Sequence, residues 1–189
     1  MRHQRAFTLI ELMVVVVVLA LLALVAVPAF NDFILVQRLK GIGAQLTADL
    51  QYGRSEAVSR SIAMRFVFRQ DDQRTCYTLF TVRPGAILGV RCDCLDGVGS
   101  ACSSADAVEV RTVVIPRSSG VTVLSTDEDP AFAIDHVNGN LLTIPMLEPM
   151  AAFTIETSID DARKLRTVIG PTGRVTVCSA AGSLGVAPC

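Results

Sequence analysis

Glu11 occupies the most chemically demanding setting in this chain. It lies at the border of a long apolar run, inside Phe7-Thr8-Leu9-Ile10-Glu11-Leu12, and a lone carboxylate withdrawn from water is costly unless a cation meets it. A second chemistry belongs to six cysteines, Cys76, Cys92, Cys94, Cys102, Cys178 and Cys189, all beyond that run. An even number suits disulfides in an exported domain. Cys92, Cys94 and Cys102 lack the paired spacing of common zinc sites and have no His nearby, which argues against a metal. Cys178 and Cys189 are the candidate pair closing a C-terminal loop. The partners of Cys76, Cys92, Cys94 and Cys102 stay open.

Catalysis has little to work with. His136 is the single histidine after the apolar run, so no His-based acid/base pair or triad assembles, and no catalytic residue, cofactor or metal is expected. Asp127-Glu128-Asp129 and Asp160-Asp161 lack the spaced oxygen ligands and glycine of a calcium loop and read as solvated charge. Arg163, Lys164, Arg166 and Arg174 flank one expected turn and are the candidate DNA-binding patch, on the expectation that they share one end. With 17 basic and 18 acidic residues the chain has net charge -1, so only such a local cluster could serve phosphate.

The elements that position these residues fall into two kinds. Leu12 to Phe30 carries no charge, and as a helix it would measure about 28 Å, close to a bilayer's hydrocarbon core. Arg2, His3 and Arg5 precede it, which predicts a cytoplasmic N-terminus and an exported remainder. The run exceeds the short apolar core of a secretory signal, about 7 to 15 residues. Beyond Pro28, where a kink is expected, apolar residues recur at Phe33, Val36, Leu39, Ile42, Leu46, Leu50 and Val58, with Arg38, Lys40, Asp49, Arg54, Glu56 and Arg60 assigned to other faces. That spacing predicts an amphipathic helix, with Gly41, Gly43 and Gly53 as weak points.

The remainder favours strands over 64–69, 74–82, 108–115, 121–124, 132–135, 141–144, 153–157, 165–169 and 174–178, and the clearest loop is Leu95 to Ala107. Asp71-Asp72, Pro84-Gly85, Asn138-Gly139-Asn140 and Pro171-Thr172-Gly173 mark reversals. An α+β fold follows, with a long N-terminal helix packed on an antiparallel sheet or sandwich. The order of strands between 83 and 149 is not fixed by these patterns.

Ala6-Phe7-Thr8-Leu9-Ile10-Glu11-Leu12-Met13 resembles the type IV prepilin signature. The resemblance implies cleavage by prepilin peptidase between Ala6 and Phe7, N-methylation of Phe7, and retention of the apolar helix in the mature subunit. It makes Glu11 the assembly residue that neutralises the new amino group of a neighbouring subunit. Ala6 departs from the glycine usual before the cut. The implied domains are a leader (1–6), a long helix (7–61, with about 12–30 in the membrane) and a disulfide-bearing head (62–189). The leader's loss leaves 15 basic against 18 acidic residues, a net charge of -3.

Leu50 to Arg60, Cys76-Tyr77-Thr78-Leu79 and Gly173 to Cys178 further resemble the FimT/GspH group of minor pilins and pseudopilins. The implied function is that of a minor pilin acting in pilus assembly at the tip. Its implied partners are other pilins through the helix, the peptidase, and the inner membrane before assembly, with the head periplasmic. The alternatives are a type II secretion pseudopilin, and a FimT-like DNA-binding pilin for transformation. Gly173-Arg174 matches the first half of the latter's Gly-Arg-x-Arg motif, and Thr176 replaces its second arginine.

Overall fold

The structure, a computed structural model, describes residues 8–86, 90–180 and 182–189, with the side chains of 25–29 and 183 outside the description. It opens with one helix, α1 (Leu9–Arg60). Thr8 caps it: the Glu11 N–H donates to Thr8 Oγ1 at 3.3 Å while the Thr8 N–H donates to Glu11 Oε2 at 3.4 Å. This is a Thr-x-x-Glu capping box, each side chain satisfying the other residue's backbone donor. At the far end Ser61 takes φ 54°, and the Ser61 and Ile62 N–H groups donate to Val58 O at 3.4 Å and Ala57 O at 3.1 Å. That pair of bonds stops the helix with a left-handed residue.

The chain divides into two compact units, Met1–Leu35 and Val36–Cys189. In the first, the described large apolar side chains from Leu9 to Leu24 are all exposed. Among the described residues no helix is long and apolar enough to cross a membrane. The run from Leu12 to Phe30 includes 25–29, so the expected kink residue Pro28 lies outside the described side chains, as Ala6 and Phe7 lie outside the described residues.

In the second unit α1 buries a row through Leu39, Leu46, Leu50 and Ala57, three or four residues apart or multiples of that spacing, as one helix face requires. The sequence expectations are corrected at four positions, Gly53 among them. Phe33 and Val58, assigned to the apolar stripe, are 57% and 47% exposed, and Asp49, assigned to an outer face, is 2% exposed. The row continues through Gly53 rather than Val58. A Cβ at Gly53 would meet Phe66 Cζ at 2.4 Å, so this glycine is a point of close helix–sheet approach and not a weak point.

Among the described residues nine strands follow: β1 (Met64–Gln70), β2 (Arg74–Val82), β3 (Ala107–Pro116), β4 (Thr122–Ser125), β5 (Ala131–Ile134), β6 (Leu141–Leu142), β7 (Phe153–Ser158), β8 (Lys164–Ile169) and β9 (Val175–Cys178). They form two sheets, ordered β3-β2-β1-β5-β6 and β4-β7-β8-β9, with antiparallel neighbours throughout. The α+β class and antiparallel head expected from the sequence are observed. β7 alternates buried and half-buried positions, the period of a strand with one face inward. β1 sits inside its sheet and is buried at five consecutive positions, as a strand covered on both faces must be.

Phe68 and Phe132 of the first sheet meet Phe153 of the second, with ring centroids 4.6 Å apart for Phe132–Phe153 and 5.9 Å for Phe68–Phe153, and Phe66 stacks on Phe132 at 4.8 Å. Leu46 and Leu50 of α1 join the same cluster. Each such ring contributes about 1.5–3 kcal/mol by leaving water, so these contacts hold the helix and both sheets in one core.

Candidate functional site

The residues with chemical potential fall in separate places. Around Glu11 the described apolar side chains Leu9, Ile10, Leu12 and Met13 are each more than 60% exposed, which makes this turn an apolar surface suited to a membrane or to neighbouring helices. Glu11 Oε2 also receives the Thr8 hydroxyl at 3.4 Å, so the carboxylate is held at the helix N-terminus, the end where helix dipoles favour negative charge. The Thr-x-x-Glu spacing is the sequence signal for this cap.

Inside the head the Asp49 carboxylate is buried against the first sheet. Tyr77 of β2 donates its hydroxyl to Asp49 Oδ2 at 2.7 Å, and Arg111 of β3 pairs with Oδ1 at 2.8 Å. Burial first, then Asp49, raises the Tyr77 phenol above its ordinary pKa. Neither partner is near Asp49 in sequence, and only its place in the row Leu46, Asp49, Gly53 hints at burial. The arrangement joins α1 to two strands and offers no nucleophile or open substrate site.

The four candidate cations do not gather. Lys164 pairs with Ser158 of β7 and Ile169 with Val175 of β9, so Lys164 opens β8 while Arg174 follows the turn at its other end. About 20 Å of extended chain separates them. Three of them face carboxylates. Arg163 pairs with Asp160 at 2.7 Å, Lys164 with Asp161 at 2.9 Å, and Arg166 with Glu156 at 2.9 Å. The Arg163 side chain holds Asp160 below the ordinary carboxylate range, and Asp161 raises Lys164 above the ordinary lysine value. Charge already neutralised by neighbours has little to offer phosphate.

The acidic clusters are tied into the fold. Asp127 accepts the Thr154 N–H at 2.9 Å, and Asp129 meets Arg91 through two bonds of 2.8 Å. His136 lies 3.4 Å from Asp135 on a half-exposed turn. Among the described residues no group of His, Cys, Asp or Glu side chains could hold a metal ion.

The cysteines form Cys76–Cys94, Cys92–Cys102 and Cys178–Cys189. The first two pin the loop between β2 and β3, and the third closes the tail. Glu109 of β3 receives the N–H groups of Gly99 and Ala101 in that loop at 2.9 and 3.0 Å. Burial opposes its charge, but Thr112 and these two amides outweigh that and keep the carboxyl below its ordinary value.

Two family models match the chain: the Prokaryotic N-terminal methylation motif over residues 1–27 and Type II transport protein GspH over residues 43–173. The chain belongs to the GspH family. This GspH-family chain is thereby a subunit of the minor pilin and pseudopilin type, and its family is one of structural subunits rather than enzymes. A search of the curated proteins found no match.

Among solved structures, the type IV minor pilin FimU of Pseudomonas aeruginosa (strain PAO1) in space group P21 is similar at TM-score 0.52 and 18% identity, covering 77% of this chain and 91% of that one. Its P65 crystal form gives TM-score 0.48 and 18% identity over 75% and 94%. At that identity the first of these establishes that the GspH-family chain shares the pilin fold.

Proposed function

We propose that this chain is a minor pilin that enters a type IV pilus through α1 and helps start assembly at the tip. The supporting observation is the continuity of α1: one 52-residue helix exposes apolar side chains over its first turns and buries one face in the head between Leu39 and Ala57. The exposed part needs a bilayer before assembly and neighbouring helices afterwards. Prepilin peptidase cuts between Ala6 and Phe7 and methylates Phe7, and the segment 12–30 holds the subunit in the inner membrane with the head in the periplasm. Glu11 then neutralises the amino group of a neighbouring subunit, giving up its Thr8 cap to do so.

The match to Type II transport protein GspH favours a second reading, in which the same helix and head serve a secretion pseudopilus. One experiment addresses both. A deletion strain is assayed for surface pili, twitching and secretion, and sheared filaments from the complemented strain are analysed by mass spectrometry. Loss of pili with an N-methylated Phe7 terminus in the filament supports the first reading. Loss of secretion alone supports the second, and unchanged pili, motility and secretion overturn both.

A further inference from the structure

A cleft of about 590 Å³ runs beside α1, walled by Gln51, Arg54, Ser55 and Val58 of the helix and by Gly173, Arg174 and Val175. Through Gln51 it continues into an apolar groove of about 480 Å³, where Lys40 of the helix faces Leu165, Val177 and the tail. Among the described residues three cations line this path, Lys40, Arg54 and Arg174, and no carboxylate does. None of the three has an ion pair among the described residues. Two turns approach Arg54: Cβ atoms at Gly139 and Gly173, both at φ +70°, would lie 2.8 and 3.0 Å from Arg54 Nε. The positive φ favours glycine at both positions, and a Cβ at Gly173 would also meet the Gly139 carbonyl oxygen at 2.3 Å.

The strand beside the cleft is open. β9 ends the second sheet. Ser179, just beyond it, donates its N–H to Ala187 O at 3.0 Å and accepts the Cys189 N–H at 3.2 Å, so the tail covers this edge at Ser179. Backbone direction alternates along a strand, which puts the N–H and C=O groups of Val175 and Val177 on the same edge. Among the described residues those groups have no backbone partner beyond the strand itself.

We propose that this cleft is a docking site for an extended acidic segment of another pilin-type subunit, which adds to the open edge of β9 and places carboxylates against Arg54, Arg174 and Lys40. Main-chain bonds supply the register and the cations supply the charge preference. The class of partner rests on the filament reading above, whereas the cleft and its chemistry do not.

The test uses the full chain purified in detergent and a fluorescein-labelled peptide of alternating Glu and Val, read by anisotropy. The expected result is binding of this peptide and not of its Lys/Val counterpart, about tenfold weaker for Arg174→Glu and for Arg54→Glu, and lost when the peptide backbone is N-methylated along one edge. Arg174 is exposed and its variant leaves the core untouched, so a folding defect in the Arg54 variant cannot mask the outcome. Equal binding of acidic and basic peptides overturns the proposal, as does indifference to N-methylation. Displacement of the peptide by oligothymidylate, with the same dependence on Arg54 and Arg174, overturns it too and makes the cleft a phosphate site. The assay reads purified chain, so its result is independent of whether the chain enters a filament.

Discussion

Asp49 Oδ2 accepts the Tyr77 hydroxyl at 2.7 Å across the interior of the head, joining the one buried carboxylate of α1's inner row to the middle of β2. Arg111, with a 48% exposed side chain, closes on the other oxygen. A buried charge without partners is costly, so the three groups depend on each other unequally. Tyr77→Phe removes one bond and costs about 1–2 kcal/mol. Asp49→Ala strands the Tyr77 hydroxyl and costs about 3 kcal/mol. Arg111→Gln, losing a solvent-screened partner, costs about 1 kcal/mol or less. Urea unfolding of the purified chain ranks them, and an Arg111 variant as damaging as Asp49→Ala contradicts this division.

The same contact contributes to the loss of stability at alkaline pH. Burial and then Asp49 raise the Tyr77 phenol, so the folded chain keeps a proton that the unfolded chain releases near about pH 10. The sign is that of a raised pKa: the contribution is complete below the unfolded value and is lost as pH climbs above it. Stability should fall above that pH in wild type and fall less steeply in Tyr77→Phe, measured as urea midpoints along a pH series. Parallel curves for the two proteins would exclude Tyr77 as the source.

Two glycines of one helix should respond oppositely to the same substitution. Gly53 faces Phe66, and an added Cβ would sit 2.4 Å from Cζ, whereas nothing lies within 4 Å of a Cβ at Gly41. Gly53→Ala therefore overpacks the helix–sheet contact and costs about 1–3 kcal/mol. Gly41→Ala gains about 0.5–1 kcal/mol from lower backbone freedom in the unfolded chain. Thermal midpoints of the two variants should lie on either side of wild type.

These contrasts show where sequence reasoning succeeds and stops. The nine strands were readable because runs such as Arg74 to Val82 combine β-branched and aromatic residues and end at turn formers. Asp49 was not, because a charge among leucines reads as an outer face and its partners stand 28 and 62 positions away. The dispersal of the cations was within reach: a turn at Pro171-Thr172-Gly173 necessarily puts Arg174 at one end of the hairpin and Lys164 at the other. What sequence could not supply was the carboxylate beside each. Arg54 carried no signal at all, since its place depends on two distant turns meeting at one helix position.

The tail offers the last test, because its attachment is divided between one disulfide, two backbone hydrogen bonds at Ser179 and a small apolar contact. Cys178–Cys189 closes a loop of sequence separation 11, worth about 3 kcal/mol in a chain-entropy description of loops near that size. Leu184 and Val186 pack on the buried cluster of Leu39, Val121 and Leu165, but both are only partly buried and cannot replace the crosslink. The double variant Cys178→Ser/Cys189→Ser should therefore release the tail to protease while the core, with Phe132 and Phe153 in contact elsewhere, unfolds near its wild-type midpoint. Opening Cys92–Cys102 by the same substitutions acts differently, since Cys92 is buried in a second cluster with Val67 and Phe80, and that midpoint should drop. If the tail variant instead melts with the whole head, the groove beside α1 is held together by the crosslink, and peptide binding at β9 should vanish with it.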